Sequence, residues 1–267
     1  MNPAFHVPRR PVVLVILDGF GVNPAKANNA VVLADTPNLD RRLSTNPHTA
    51  LQASARAVGL PEGQMGNSEV GHMTLGSGCI VRQDLVLIDD AIANGSFFEN
   101  PVMVQAARKA AEMGRPLHLV GLVSDGGVHS HLTHLIAAIQ LAAQQGARPV
   151  LHMITDGRDT APRAALNYLD AVESALTAAG GHTATLSGRY YAMDRDHRWD
   201  RTQLAFDAMV HRKTEQGEAM ASLRDAIEQA YEAGEDDEFI KPRLIAGGEV
   251  IQSGDPVFSF NFRKDRP

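Results

Sequence analysis

Residues 117–140 read LHLVGLVSDGGVHSHLTHLIAAIQ, and this stretch decides the fold class. Its first seven residues are a short apolar run, which is typical of a buried parallel strand. A glycine-rich polar loop follows, and residues 131–145 are predicted to form a helix. The same order of strand, loop and helix recurs along the chain, which predicts βαβ units and a mainly parallel sheet.

Further elements are predicted on both sides of this stretch. The other strand-like runs are Val12–Leu17, Val150–Thr155, Thr183–Leu186 and Val257–Phe260. Helix-like segments cover residues 85–94, 100–113, 161–179, 200–212 and 222–233, and a further helix starts at Thr36-Pro37. The run Val12–Leu17 is continuous and rich in β-branched residues, so we expect it to be a buried parallel strand as well.

The composition and the pattern of the sequence change near residues 78–86. Residues 59–78 are dense in glycine, which is typical of a loop region where the backbone approaches something closely, and residues 68–75 are predicted to form a short helix within it. Regular alternation of strands and helices begins after this region. We therefore expect one domain over residues 1–80 and a second over residues 81–267.

The composition excludes several classes of protein. A net charge of −6 argues against sequence-independent binding to nucleic acid, which needs a basic excess. No stretch approaches 18 apolar residues, so no membrane span is expected. The single cysteine, Cys79, allows neither an intrachain disulfide nor a cysteine-based zinc cluster. Together these features predict a protein of a reducing, cytoplasmic compartment.

Chemically useful side chains follow every predicted strand. Ligands of open parallel sheets bind beyond the carboxyl ends of the strands, so these side chains are candidate site residues. In chain order they are Asp18; Ser124, Asp125, His129 and His131; Asp156, Arg158 and Asp159; Ser187, Arg189 and Arg195; and Asn261, Arg263 and Arg266.

Arginine is concentrated in one part of the chain. From Arg158 to Arg201 there are six arginines and no lysine. Arginine binds carboxylate and phosphate through a planar fork, so the pattern predicts a small ligand with several negative charges, such as a phosphorylated carboxylic acid. Position at strand ends favours Arg158, Arg189 and Arg195 as ligand contacts. Arg198 and Arg201 are interpreted instead as surface arginines paired with Asp194, Asp196 and Asp200.

Three other candidates each support two interpretations. Asp18 follows a predicted strand and suits a Mg²⁺ or Mn²⁺ ligand, but Asp-Gly is also a common turn. Ser68 could accept a phosphoryl group at a helix N-terminus, although the local sequence favours a helix cap. His129 is either a phosphate or substrate contact or a structural residue, and its spacing from His131 is weak evidence for a metal site.

Six runs of the sequence resemble the cofactor-independent phosphoglycerate mutases, which need no bisphosphoglycerate. The runs are LDGFG at 17–21, GNSEVGH at 66–72, SDGGVHSH at 124–131, TDGRDT at 155–160, GRYYAMDR at 188–195 and FRKDR at 262–266. They occur in the order of the family and cover almost the whole chain.

The resemblance implies a fold and an activity. The fold would be part of an alkaline-phosphatase-like phosphatase domain with an inserted α/β transferase domain built on a mainly parallel sheet. The activity would be interconversion of 2-phosphoglycerate and 3-phosphoglycerate through a phosphoserine, with two divalent metal ions, typically Mn²⁺. The family also favours a monomer.

The same resemblance implies roles for individual residues. Ser68 would be the nucleophile and, with Asp18, a metal ligand. Asp159 would move the protons of the glycerate hydroxyls and also contact the substrate. The other implied substrate contacts are His129, Arg158, Arg189, Arg195, Arg263 and Arg266.

The length of the chain departs from this family. Its members are considerably longer, so the remaining metal ligands are expected beyond Pro267 and the chain alone is expected to be catalytically inactive. Two other functions remain open. One is a non-catalytic phosphoglycerate-binding module, and the other is a different metal-dependent phosphomutase or phosphatase of the alkaline phosphatase superfamily, which would lack the arginine-rich pattern of residues 124–195.

Overall fold

The computed structural model describes residue 11, residues 13–263 and residue 265. It divides the chain into two units, with unit 1 ending at Arg82 and unit 2 beginning at Gln83. This division lies within the junction expected near residues 78–86. The assignment of residues 1–80 and 81–267 to a phosphatase and a transferase domain stays a prediction.

Unit 1 is built from short helices. They are α1, Ala30–Leu33; α2, Pro37–Thr45; and α3, Ser68–Ser77, with a 3₁₀ turn at Ala55–Val58. Helix α2 has Pro37 at its first position, as Thr36-Pro37 predicts. A small apolar cluster of Val58, Leu60 and Val70 is buried inside this unit.

The strand expected at Val12–Leu17 is not formed in the described residues. Residues 13–17 have no regular secondary structure, and their side chains are exposed, from 43% for Ile16 to 78% for Val13. Val12 lies outside the described residues. A buried strand needs a hydrogen-bonding neighbour, and the described part of unit 1 contains no other strand. The apolar pattern was therefore insufficient to make this run a strand.

The glycine-rich stretch brings the backbone of unit 1 close to itself. A Cβ atom on Gly66 would lie 1.8 Å from the carbonyl oxygen of Ala53. Gly59 has a φ of +80°, and a Cβ there would lie 2.0 Å from the carbonyl oxygen of Val81. Only glycine fits at these two positions, so the expected close approach is to the chain's own backbone.

Unit 2 contains a five-stranded sheet that confirms the α/β class. The strands are β1, Leu117–Val123; β2, Pro149–Thr155; β3, His182–Gly188; β4, Arg243–Leu244; and β5, Val257–Ser259. Their order is β4-β3-β2-β1-β5, and all neighbours are parallel except β3 and β4. The four strands expected in this unit are present. The antiparallel strand β4 was not expected, because two residues carry no readable periodicity.

The helices of unit 2 follow the predicted segments closely. They are α4, Asp84–Asn94; α5, Pro101–Glu112; α6, Leu132–Gln144; α7, Leu169–Ala178; α8, Arg189–Ala192; α9, Trp199–Phe206; and α10, Leu223–Glu232. Short 3₁₀ turns lie at Ser96–Glu99, Ala165–Tyr168 and Asp237–Phe239, and a π-helical turn at Asp207–His211 continues from α9. No helix in the described part of the chain is long and apolar enough to cross a membrane.

One predicted helix, residues 161–179, begins later than expected. Helical structure starts at Ala165, where the backbone amides of Ala164 and Ala165 donate to the carboxylate of Asp237. Asp237 is buried, and it satisfies the amides that a helix start leaves without partners. The boundary is thus set by a residue more than seventy positions away, which the local sequence does not reveal.

Two histidines lie buried inside the sheet. His118 in β1 and His152 in β2 are 0% exposed, and their Nδ1 and Nε2 atoms are 2.9 Å apart. His152 also hydrogen-bonds Thr185 in β3, and His118 lies 3.4 Å from Asp255. Burial lowers the pKa of His118, and burial together with its neighbour His118 lowers the pKa of His152 to about 3. Both rings are therefore neutral in the folded protein near pH 7.

The burial of histidine predicts acid sensitivity. Burial lowers the pKa of His118, His129, His134 and His152, so the folded state resists protons that the unfolded chain binds below a pH of about 6.5. Stability is then fully present above pH 6.5 and is lost as pH falls toward the folded-state pKa values. We expect the free energy of unfolding of unit 2 to fall by about 3 kcal/mol between pH 7 and pH 5.

Urea unfolding at pH 7, 6 and 5 measures this slope. Fluorescence of Trp199, the single tryptophan of the chain, reports on unit 2, and circular dichroism reports on helix content. In the variant His152→Gln, the free energy of unfolding should depend less steeply on pH, by the equivalent of one proton. A free energy of unfolding that stays constant from pH 7 to pH 5 would contradict the prediction.

Candidate functional site

The carboxyl ends of β1, β2 and β3 are tied together by side chains. Ser124, directly after β1, donates from Oγ to Oδ2 of Asp156 at 2.6 Å. Arg189, directly after β3, donates from Nη1 to Oδ1 of Asp156 at 2.6 Å. Asp156 follows β2, so one carboxylate connects the ends of three neighbouring strands. Ser124, Asp156 and Arg189, three of the residues singled out by position alone, therefore lie together.

Arg189 is the centre of this cluster. Its side chain is 4% exposed, and Nη1 donates to both Asp156 and Asp159 at 2.6 Å. Burial opposes the charge, but the hydrogen bonds to Asp159 and Asp156 outweigh it and raise the pKa of the Arg189 guanidinium. Both bonds use the same nitrogen, and the described residues offer no acceptor to Nε or Nη2. Two donors of the fork thus remain for a ligand.

The ring of His129 lies beside the carboxylate of Asp159. Its Nε2 is 3.8 Å from Oδ2 of Asp159, and its Nδ1 is 3.6 Å from Oδ1 of Asp265. The ring is buried, and the carbonyl oxygen of His129 accepts from the amide of Phe262. Burial and then the charge of Arg189 lower the pKa of His129, against the pull of the carboxylates. A neutral imidazole therefore faces the carboxylate of Asp159.

A small pocket of about 80 Å³ opens next to Arg189. It is lined by Arg158, Arg189, Tyr190, Met193, Asp194, Arg195, Asp196, Arg201 and Glu238. Arg158 is half-exposed, and its Nη1 lies 3.6 Å from Oε1 of Glu238. The three arginines favoured from the sequence, Arg158, Arg189 and Arg195, thus line one pocket.

The two arginines interpreted as surface residues differ from each other. Arg198 and Asp200 are both exposed and pair at 3.1 Å, as expected. Arg201 is 15% exposed and pairs with Asp194 at 3.2 Å. Its guanidinium lies 3.9 Å above the ring of Tyr190, and it lines the pocket. The surface interpretation of Arg201 is therefore wrong, because the aromatic ring at the start of α8 provides a stacking partner.

The two candidate arginines near the C-terminus are Arg263 and Arg266. Arg263 is half-exposed, and its Nε lies 3.3 Å from Oδ1 of Asp265, the carboxylate that also approaches His129. Arg266 lies outside the described residues. The structure therefore brings His129, Asp159 and Arg189 into contact and places Arg158 and Arg195 at the adjoining pocket. The substrate roles of all of these residues stay predictions.

Unit 1 brings Ser68 and Asp18 together. Ser68 is the first residue of α3, and its Oγ donates to Oδ2 of Asp18 at 2.7 Å. The cap of this helix is Asn67, whose side chain accepts from the amide of Val70. The cap interpretation of Ser68 is therefore wrong, and its hydroxyl is available for other chemistry. His72, one turn along the helix, places Nδ1 3.1 Å from the Ser68 hydroxyl.

The pair of Ser68 and Asp18 fits part of a metal site. A carboxylate and a hydroxyl supply the oxygen ligands that Mg²⁺ and Mn²⁺ prefer. Among the described residues, no group of three or more His, Cys, Asp or Glu side chains is placed to hold a metal ion. The role of Ser68 and Asp18 as metal ligands stays a prediction.

A family model described as the N-terminus of BPG-independent phosphoglycerate mutase matches residues 88–267. The chain belongs to this family. The match begins inside helix α4 and covers the rest of unit 2, including Arg158, Arg189 and Arg195.

Named relatives extend the similarity to both units. A 2,3-bisphosphoglycerate-independent phosphoglycerate mutase of Synechococcus sp. (strain JA-2-3B'a(2-13)) is 53% identical over 257 residues, which are 96% of this chain and 48% of that protein. The protein of the same name in Clostridium perfringens (strain SM101 / Type A) is 49% identical over 264 residues, which are 97% and 51% of the two chains.

A solved structure agrees with these relatives. The phosphoglycerate mutase of Leishmania mexicana, crystallised at low cobalt concentration, is 33% identical with a TM-score of 0.71. The similarity covers 99% of this chain and 51% of that one. The chain thus spans about half the length of the relatives it matches.

Two parts of the site were not predicted from the sequence. Asp156 was noted only for its position, although its carboxylate holds the cluster together. The turn Asp237–Phe239 crosses the ends of β2 and β3, where Gly157 and Gly188 leave room for its backbone. The glycines of Asp-Gly-Arg and Ser-Gly-Arg were the available signal, since a Cβ on either would lie within 2.6 Å of that turn.

Proposed function

We propose that this chain is the phosphoglycerate-binding half of an enzyme that interconverts 2-phosphoglycerate and 3-phosphoglycerate. The observation that carries the proposal is the buried Arg189. Its Nη1 donates to two carboxylates, and among the described residues no acceptor meets its Nε or Nη2. A phosphate or carboxylate accepts two parallel bonds from such a fork. Arg158 and Arg195 line the adjoining pocket and would bind the second anionic group.

Asp159 is the proposed group for proton transfer. Its carboxylate touches Arg189 at 2.6 Å and faces the neutral ring of His129 at 3.8 Å. A glycerate hydroxyl bound beside the arginines would lie within reach of this carboxylate, which can take and return its proton. The two hydroxyls of glycerate would exchange roles at this residue when the glycerate reorients.

Ser68 is the proposed acceptor of the phosphoryl group. It stands at the N-terminus of α3, where backbone amides favour a phosphoryl oxygen, and its hydroxyl already contacts Asp18. A divalent ion held by Asp18 and Ser68, Mn²⁺ in our proposal, would lower the pKa of the serine hydroxyl. We further propose a cytoplasmic monomer, in line with the function of glycolytic enzymes.

Calorimetric titration of the 267-residue chain with 3-phosphoglycerate tests the binding proposal. The unsubstituted chain should bind, and Arg189→Ala should weaken the affinity at least about thirtyfold, since a buried charge contact is lost. The control is Arg224→Ala, which removes an exposed arginine paired with Asp170. Melting temperatures identify any loss of fold. Absence of binding by the unsubstituted chain, or an unchanged affinity in folded Arg189→Ala, would refute the proposal.

A further inference from the structure

Asp156 is buried and makes several hydrogen bonds, but it has no role in the proposed function. The residue is 2% exposed and accepts four hydrogen bonds. Two come from the backbone amides of Arg158 and Asp159, at 3.2 and 3.0 Å. The others come from the hydroxyl of Ser124 and from Nη1 of Arg189, both at 2.6 Å.

The carboxylate of Asp156 is ionised despite its burial. Burial opposes the charge, but the bonds from the Asp159 amide, Ser124 and Arg189 outweigh it and hold the pKa of Asp156 below its usual value. Three of these donors meet Oδ1 and one meets Oδ2, and because they come from three separate segments they hold the carboxylate in one orientation. Its position in turn fixes whatever it binds.

Two consequences follow for the groups around it. The bonds to consecutive amides set the turn that carries Asp159. The bond to Arg189 holds Nη1 between two carboxylates, which restricts rotation of the planar guanidinium. Rotation about the Cζ–Nε bond would otherwise exchange Nη1, which faces the carboxylates, with Nη2, to which the described residues offer no acceptor.

We propose that Asp156 is a positioning residue for anion binding, which anchors Arg189 by Nη1 and so presents Nε and Nη2 to one anionic group of the substrate. The inference rests on the proposed function, because it names how the same site holds a phosphorylated carboxylic acid. Asp156 itself does not touch the ligand. Its effect passes through Arg189 and through the turn that carries Asp159.

A simpler role for Asp156 would be to balance the charge of the arginines. The two roles predict opposite signs for the same substitution. If Asp156 only balances charge, removing it makes the site more positive and tightens anion binding. If it positions Arg189, removing it weakens anion binding although the site has become more positive.

The first experiment measures rotation of the Arg189 side chain by NMR of its guanidinium nitrogens in the 267-residue chain. The signal is assigned by its loss in Arg189→Lys. In the unsubstituted chain, hindered rotation should keep the Nη1 and Nη2 signals separate, and Asp156→Ala should merge them. Freely rotating nitrogens in the unsubstituted chain, or separate signals that persist in Asp156→Ala, would overturn the proposal.

The second experiment titrates the variants with 3-phosphoglycerate. Asp156→Ala should lower the affinity about thirtyfold. Asp156→Asn keeps an oxygen for the two amides and for Arg189 but lacks the charge, so it should lose less, about fivefold, because neutral bonds are weaker than charged ones. The control, Asp170→Asn, removes the same charge from a side chain that is 93% exposed and should have no effect.

The outcomes separate this inference from the proposed function. Equal or tighter binding in both Asp156 variants overturns the positioning role while the proposed function stands. If the unsubstituted chain binds no 3-phosphoglycerate, the proposed function fails, and the NMR measurement alone decides whether Asp156 anchors Arg189. If Asp156→Ala fails to fold, Asp156→Asn takes its place in both experiments, and a partial gain in Arg189 rotation is then the supporting result.

Discussion

In a full-length enzyme that carries this sequence, replacing Ser68 with alanine is expected to abolish mutase turnover and to leave phosphoglycerate binding unchanged. The substitution removes the oxygen that would accept the phosphoryl group, so the rate should fall at least about 10⁴-fold. Binding should persist because the arginine pocket is formed entirely by residues of unit 2. Steady-state kinetics and calorimetry measure the two effects separately.

Trapping of the intermediate gives a more direct test. Acid quenching with labelled 3-phosphoglycerate should recover a phosphoserine in the unsubstituted enzyme and none in Ser68→Ala. The control is Ser77→Ala, which removes a hydroxyl from the last residue of the same helix. Turnover or labelled protein in the Ser68 variant would contradict the proposed phosphoryl acceptor.

Replacing Gly188 with alanine is expected to destabilise unit 2 by about 3 kcal/mol and to abolish ligand binding. A Cβ there would lie 2.4 Å from the carbonyl oxygen of Glu238 and 2.7 Å from the amide nitrogen of Ile240. Both are backbone atoms, and the turn that carries them is fixed by a hydrogen bond from Thr155 to the Asp237 carbonyl. Neither side can give way without moving Arg189, which follows Gly188 directly.

Urea unfolding and calorimetry of the Gly188 variant measure the two effects. The matched control is Gly180→Ala, where a Cβ meets no atom within 4 Å but φ is +67°. That control isolates backbone strain, which costs about 1 kcal/mol. Comparable stability of the two variants would show that the turn can move and that the contact at Gly188 is not rigid.

The sequence predicted most of the fold of unit 2 for a physical reason. Strands buried on both faces leave continuous apolar runs, so β1 and β2 were predicted to within one residue and β3 to within two. The two-residue strand β4 leaves no such signal. The run at residues 13–17 has the pattern of a strand, but a pattern does not supply a pairing partner.

The sequence predicted the site to the extent that a parallel sheet brings the carboxyl ends of its strands to one edge. That rule correctly grouped Arg158, Arg189 and Arg195 from their positions alone. It could not rank them, because the burial of Arg189 and the stacking of Arg201 on Tyr190 depend on contacts between distant segments. The role of Asp156 escaped notice for the same reason, since its bonds to Ser124 and Arg189 join segments more than thirty residues apart.

The hydrogen bonds that join the ends of β1, β2 and β3 also bear on how fast a ligand would exchange. Asp156 links Ser124 and Arg189 through hydrogen bonds within the protein, so the protein itself holds these strand ends in the arrangement that a ligand would meet. We expect stopped-flow traces with a single phase whose rate rises linearly with ligand concentration. That rate should fall as salt is added, because attraction between charges would guide the encounter.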